Sequence, residues 1–192
     1  MMLLLIGIPF CRPFMTIGGI ILVVNWFIEG KFLEKINAIK NNRFLFISLL
    51  IFLVYVVWMI FTENRSEGWK SVWMKTPLLF LPIIFATTKP LTRFEFHNLL
   101  KVYLIGLLIS TVYGFSMYQL HELADKREMA IFISYIRFEM NLCFSVFVIL
   151  YLIINDESQK WQKYILVGLL LWLLFLIFYI GALTAIIILM LV

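Results

Sequence analysis

YILVGLLLWLLFLIFYIGALTAIIILMLV, from Tyr164 to Val192, is 29 residues without one charged side chain. A bilayer-spanning helix needs ~20 apolar residues, so this run holds one full span and the start of another. A terminal carboxylate inside hydrocarbon is costly, so a chain stopping part-way through a span reads as the front of something longer. The expected fold is an all-α, polytopic integral membrane protein with about six to seven transmembrane helices. Residues 1–192 are expected to form a single membrane domain, the truncated N-terminal half of a larger multi-span fold.

Composition agrees. Hydrophobic residues make up 64% of the chain, charged residues 14%, and the mean hydropathy is +1.01. Soluble domains sit near ~45–50% apolar and ~25% charged, so a water-soluble globular enzyme is excluded. The net charge of +5 is scattered through short connections, which argues against nucleic acid as a partner and for the topology rule that keeps Lys and Arg cytoplasmic. Cys11 and Cys143 lie far apart in apolar surroundings with no CxxC spacing, so they read as small hydrophobes. The hydrophobic first 28 residues lack a basic leader and are interrupted by Arg12 and Pro13, so they read as an anchor helix.

Charge-free stretches place the spans at Pro13–Ile28, Phe44–Thr62, a short and proline-kinked Thr76–Thr88, Val102–Leu120, Met140–Asn155 and Tyr164–Ile180. A seventh begins at Gly181. The fifth is entered through Ile131–Glu139. Between spans, Lys31, Lys35, Lys40, Arg43, Lys89, Arg93, Lys101, Lys160 and Lys163 fall on one side, nine in all. Arg65, Lys70, Lys75, Lys126 and Arg127, five in all, fall on the other, so the nine-charge side is expected to face the cytoplasm. Trp26, Trp58, Trp69, Trp73 and Trp161 sit near span ends, where an indole keeps its N–H in the headgroup zone; Trp172 is mid-span.

Among polar residues, Arg137 and Glu139 carry the most information, because charges inside a membrane segment cost roughly 2.5–3.5 kcal/mol each on insertion scales. Two residues apart on a helix, they do not share a face and make poor partners for each other. Arg137 is a candidate for binding an anionic group such as a diphosphate, which its forked donors suit. On the alternative reading the helix starts later, near Glu139, and both residues snorkel to the outer surface. The outer loop Thr62–Lys70 offers Arg65 and Trp69, with Glu139, as outer-face contacts for a sugar; the alternative is a solvated connection with an interfacial Trp. His121–Glu122–Leu123–Ala124–Asp125 ends in Asp where a zinc-protease helix has His, and His97 lies in the opposite loop, so no metal or cofactor is implied. No P-loop, GxGxxG, GxSxG or paired intramembrane carboxylates occur, and the catalytic residues stay unassigned.

Asn25–Trp26–Phe27–Ile28–Glu29–Gly30–Lys31–Phe32, Lys40–Asn41–Asn42–Arg43, Thr62–Glu63–Asn64–Arg65–Ser66–Glu67–Gly68, Lys75–Thr76–Pro77 through Phe85, and Ser134–Tyr135–Ile136–Arg137–Phe138 follow one another in order. Together they resemble the N-terminal half of O-antigen ligase-like proteins of the ligase/polymerase superfamily, especially the Bacteroidetes type. The resemblance implies a multi-pass protein of the bacterial inner membrane that serves lipopolysaccharide and cell-envelope biosynthesis. Such a glycosyltransferase moves a glycan from an undecaprenyl-diphosphate carrier to a lipid or glycan acceptor on the periplasmic face, without a metal. It implies that Arg137 matches the arginine of the family's Ser-His-Ile-Arg-Phe-like segment, with Tyr135 where His is common. A large periplasmic loop carrying a histidine and arginines would lie beyond Val192. Tyr179–Ile180–Gly181–Ala182–Leu183–Thr184–Ala185 lacks the arginine that relatives show there. A small transporter subunit and a non-enzymatic membrane scaffold are the alternative classes. On the ligase reading, the purified 192-residue chain transfers no glycan from an undecaprenyl-diphosphate donor. Detectable transfer in a gel-shift assay of acceptor lipid would overturn that expectation.

Overall fold

The computed structural model describes residues 1–10, 12–40, 42–121, 125–155 and 160–191. Among them every regular element is helical. Cys11, most of the His121–Asp125 motif and the first half of the Asp156–Lys163 connection lie outside the described residues.

Among the described residues three helices are long and apolar enough to cross a membrane: α7 (Arg93–Leu120, 28 residues), α8 (Tyr135–Asn155, 21) and α9 (Lys160–Ile180, 21). At ~1.5 Å per residue they reach roughly 42, 32 and 32 Å against a hydrocarbon core of ~30 Å. A fourth span is counted only if the bent pair Pro13–Ile28 and Phe32–Ile39 is taken as one. The expectation of six to seven spans is therefore corrected to three or four among the described residues. The reason is helix length, which apolar composition does not report. α1 (Met2–Phe10) and α2 (Arg12–Ile28) split the N-terminal apolar run into pieces of 9 and 17 residues. α4 (Arg43–Ile60) ends where Phe61 and Thr62 turn off the helix. α6 (Thr76–Thr87) has 12 residues with Pro82 inside, and α10 (Leu183–Leu191) is the last described helix.

Two sequence-expected loops are also partly helical. α3 (Phe32–Lys40) occupies the first, and α5 (Arg65–Met74) occupies the second. Asn64 starts α5 by accepting the Glu67 backbone N–H on its side chain, the usual way a short polar residue satisfies an orphan donor. Arg65 and Trp69 consequently sit on a helix, one turn apart, where a loop is expected.

The described chain packs as two compact units, Met1–Gly18 with Leu91–Val192, and Gly19–Pro90. In the first unit α1 turns back on the start of α2 so closely that a Cβ on Gly18 would lie 2.7 Å from Leu4 Cα. α1 also lies along α7, where Ser110 Oγ donates to the Pro9 carbonyl at 3.0 Å, an acceptor freed where the short helix ends. The core is the seam of α7, α8 and α9, centred on Leu107, Leu142, Ile149, Leu152, Leu173 and Ile177. Polar groups cross it in pairs, as hydrocarbon demands. Ser145 Oγ donates to the Tyr103 hydroxyl at 3.2 Å, Tyr103 donates to Asn141 Oδ1 at 3.3 Å, and the mid-span Trp172 indole donates to Thr111 Oγ1 at 3.2 Å.

In the second unit α4, α5 and α6 pack together and α3 lies on α6. The Trp26 indole donates to Thr87 Oγ1 at 2.7 Å, and the same hydroxyl donates to the Ile83 carbonyl.

A 3-10 turn, Lys126–Met129, follows α7 and presses the Met129 carbonyl against Gly114, where a Cβ would overlap the oxygen. Gly114→Ala therefore lowers stability by about 1–3 kcal/mol, the usual cost of overpacking. Gly168→Ala in α9, where a Cβ meets nothing, is neutral or stabilising by up to ~1 kcal/mol through helix propensity. Thermal unfolding of the detergent-solubilised pair checks the contrast; equal midpoints would refute the contact.

Candidate functional site

Charged and aromatic groups of the first unit gather where α7, α8 and α10 meet the α7–α8 connection. The local sequence builds the connection. Asp125 accepts the Arg127 backbone N–H at 2.9 Å, which closes a tight turn and begins the 3-10 segment. Met129 then buries its side chain in the core and fixes that segment in place. Lys126 and Arg127 thereby reach different aromatic partners from one short turn. Lys126 Nζ donates to the Tyr179 carbonyl at 3.0 Å and stands 4.4 Å from the Tyr179 ring centre. A cation at the last turn of α9 offsets the negative end of that helix, and the ring face adds a second attraction. Tyr179 in turn stacks on Phe175 with centroids 5.5 Å apart.

Arg127 reaches the other way. Its guanidinium lies 5.3 Å from the Tyr135 ring centre, and its Nε is 4.0 Å from Asp125 Oδ2, a distant and well-exposed pair that contributes little. Tyr135 opens α8, and its phenol interacts with the carboxylate of Glu139 one turn on.

Glu139 is the unusual member. It is 5% exposed inside an apolar bundle, and Thr184 Oγ1 of α10 donates a short hydrogen bond to its Oε2. A buried carboxylate needs such donors, because leaving it unpaired costs several kcal/mol. Thr184 is brought there by the chain's break after α9. Gly181 takes φ +72°, a left-handed conformation that glycine adopts without strain, and α10 turns back onto α8.

Arg137 points away from this pair. It is exposed, and among the described residues no carboxylate or hydrogen-bond acceptor meets it. Arg137 and Glu139 both lie inside α8, which begins at Tyr135, so a helix start near Glu139 is not what forms. Their opposite placement follows from the ~100° turn per helical residue, which sets positions two apart on opposite faces.

The remaining candidates are not joined to this cluster by any packing within a unit. Arg65 and Trp69 belong to the second unit, both exposed on α5, with Trp69 58% exposed. Lys126 and Arg127 are the site members that sequence reading passes over, and Thr184, the one polar residue of the Tyr179–Ala185 stretch, gives no sign in sequence of its partner. The two cations register only as loop charge, and the partners of Lys126 and Glu139 lie 53 and 45 residues away. No family model, curated protein or solved structure matches the chain.

Thr184→Val removes the donor to Glu139 and keeps side-chain volume. The expected loss is about 1.5–3 kcal/mol, the range for hydrogen bonds to charged groups, felt mainly as faster amide exchange in α10. Glu139→Gln with Thr184→Val should cost less than the two single losses added together, because the second change then removes an interaction already weakened. Additive losses would show that the pair does not hold α10.

Proposed function

We propose that the chain is a membrane-embedded part of an O-antigen ligase-like glycan transferase, and that Arg137 contributes to holding the diphosphate of an undecaprenyl-diphosphate-linked glycan on the periplasmic side. The observation that carries the reading is the exposed guanidinium in the first turn of α8, without a carboxylate partner among the described residues, while Glu139 is turned inward to Thr184. A cation left uncompensated at the edge of an apolar bundle suits an anionic headgroup whose tail stays in lipid. The ordered motifs between Asn25 and Phe138 support the family, and the all-helical fold with membrane-length helices agrees with its setting. With α7, α8 and α9 as the spans, Lys89, Arg93, Lys160 and Lys163 fall on the side opposite Lys126 and Arg127, which supports an α7–α8 connection on the outer side.

The chemistry asked of Arg137 is binding and charge neutralisation. As a glycan leaves its carrier, negative charge builds on the departing diphosphate, and a fixed guanidinium lowers that cost without moving. Lys126 and Arg127 are less free for this, since one caps α9 and the other lies against Tyr135 and Asp125.

Arg137→Ala is expected to weaken binding of undecaprenyl diphosphate about tenfold, equivalent to ~1.4 kcal/mol and near the lower end for a charged hydrogen bond. Undecaprenol, which lacks the diphosphate, should bind the variant and the parent alike. Binding is read by tritiated-lipid retention on reconstituted protein, with unfolding midpoints as the control. Equal diphosphate binding by parent and variant would leave Arg137 as an anchor to the membrane surface and remove the site from the proposal.

A further inference from the structure

The junction between α2 and α3 is built as a rigid elbow. Pro13–Ile28 and Phe32–Ile39 meet at 114°, across Gly30 and Lys31 with φ of +65° and +55°. Lysine in the left-handed region is uncommon, so the surrounding contacts must hold the turn. They centre on Lys35, which is 3% exposed. Its Nζ donates to the Trp26 carbonyl at 2.7 Å, pairs with Glu29 at 3.1 Å and stands 4.5 Å from the Trp26 ring centre. One ammonium thus satisfies the end of α2, neutralises Glu29 and ties α3 to an indole that is itself bonded to Thr87 of α6.

What this elbow holds out is apolar. Ile28 is 78% exposed and Leu33 81%, with Phe27, Phe32 and Ile36 also open. On α3, Phe32, Ile36 and Leu33 fall within an arc of about 100°, Asn37 adjoins it, Glu34 lies on the opposite side, and Lys35 is turned inward. Nine residues reach only ~14 Å, too short to span. The basic positions Lys31, Lys40 and Arg43 bracket the helix, against Glu34 as the one exposed acid on it. Phe46 and Ile47 at the start of α4 are exposed as well.

We infer that α3 lies in the plane of the membrane surface and holds an anionic phospholipid leaflet, with Phe27, Ile28, Phe32, Leu33 and Ile36 entering the acyl boundary and the basic positions 31, 40 and 43 flanking the helix at phosphate depth. A short helix with an apolar face and flanking cations is the form that binds at this depth. Basic residues beside an anionic leaflet contribute independently of the glycan reading above.

The test uses the full chain carrying Cys11→Ala and Cys143→Ala, reconstituted in phosphatidylglycerol or phosphatidylcholine nanodiscs. Spin labels at positions 33, 36, 34 and 37 are probed by collision with oxygen and with a water-soluble nickel chelate. Oxygen should reach 33 and 36, and nickel should reach 34 and 37. The parent should retain phosphatidylglycerol over phosphatidylcholine, and Lys31→Gln or Lys40→Gln should each cut that preference about fivefold. Glu34→Gln should leave it intact or raise it, which separates lost charge from misfolding. Nickel at 33 and 36, or protection from both probes, would place α3 in water or under protein and overturn the inference. Equal retention of the two lipids by the parent, or an unchanged preference in the lysine variants, would overturn it as well.

Discussion

Hydrocarbon ~30 Å thick accepts a backbone only where its N–H and C=O groups are satisfied within the chain, and that single length sorts the helices of this protein. α7, α8 and α9 meet it, with 28, 21 and 21 residues, and their shared seam forms the core of the first unit. The shorter helices pack beside one another instead. α1 doubles back on α2 and lies along α7, α10 folds onto α8, and α4 packs with α5 and α6.

A second consequence of the same medium is that polar groups inside the bundle come in pairs. Ser110 meets the Pro9 carbonyl, Trp172 meets Thr111, Ser145 and Asn141 meet Tyr103, and Thr184 meets Glu139. Measured bonds of this kind in membranes contribute roughly 0.6–2 kcal/mol each. Their larger effect is on placement. Where hydrophobic burial is non-directional, a hydroxyl that must find one carboxylate fixes the rotation and height of a helix. Glu139 does this for α10, and in doing so it is withdrawn from the surface that Arg137 occupies.

The candidate site therefore divides its charges by role. Glu139 and Lys126 are engaged in holding helices, Arg127 leans on Tyr135, and Arg137 is left presented. Arg65 and Trp69 stand on α5 of the other unit as an exposed cation and an indole one turn apart, a form suited to a membrane interface.

Read alone, the residues determine that the chain is helical and made for a membrane, since 64% hydrophobic content and charge-free runs leave no soluble alternative. They also determine that Arg137 and Glu139 face apart, because helical spacing is a local property. They do not determine how many helices span, because an apolar run such as the N-terminal one divides into helices of 9 and 17 residues only in the folded chain. Nor do they reveal that Glu29–Arg43 contains a helix held at 114° by a buried lysine, or that Thr184 completes the Glu139 site. Each of those depends on partners distant in sequence, such as Thr87 for Trp26 and Gly114 for Met129, or on a turn whose conformation is selected by what it packs against. Composition fixes the solvent a chain prefers; only the packed structure decides where each helix ends and which charges are left to act.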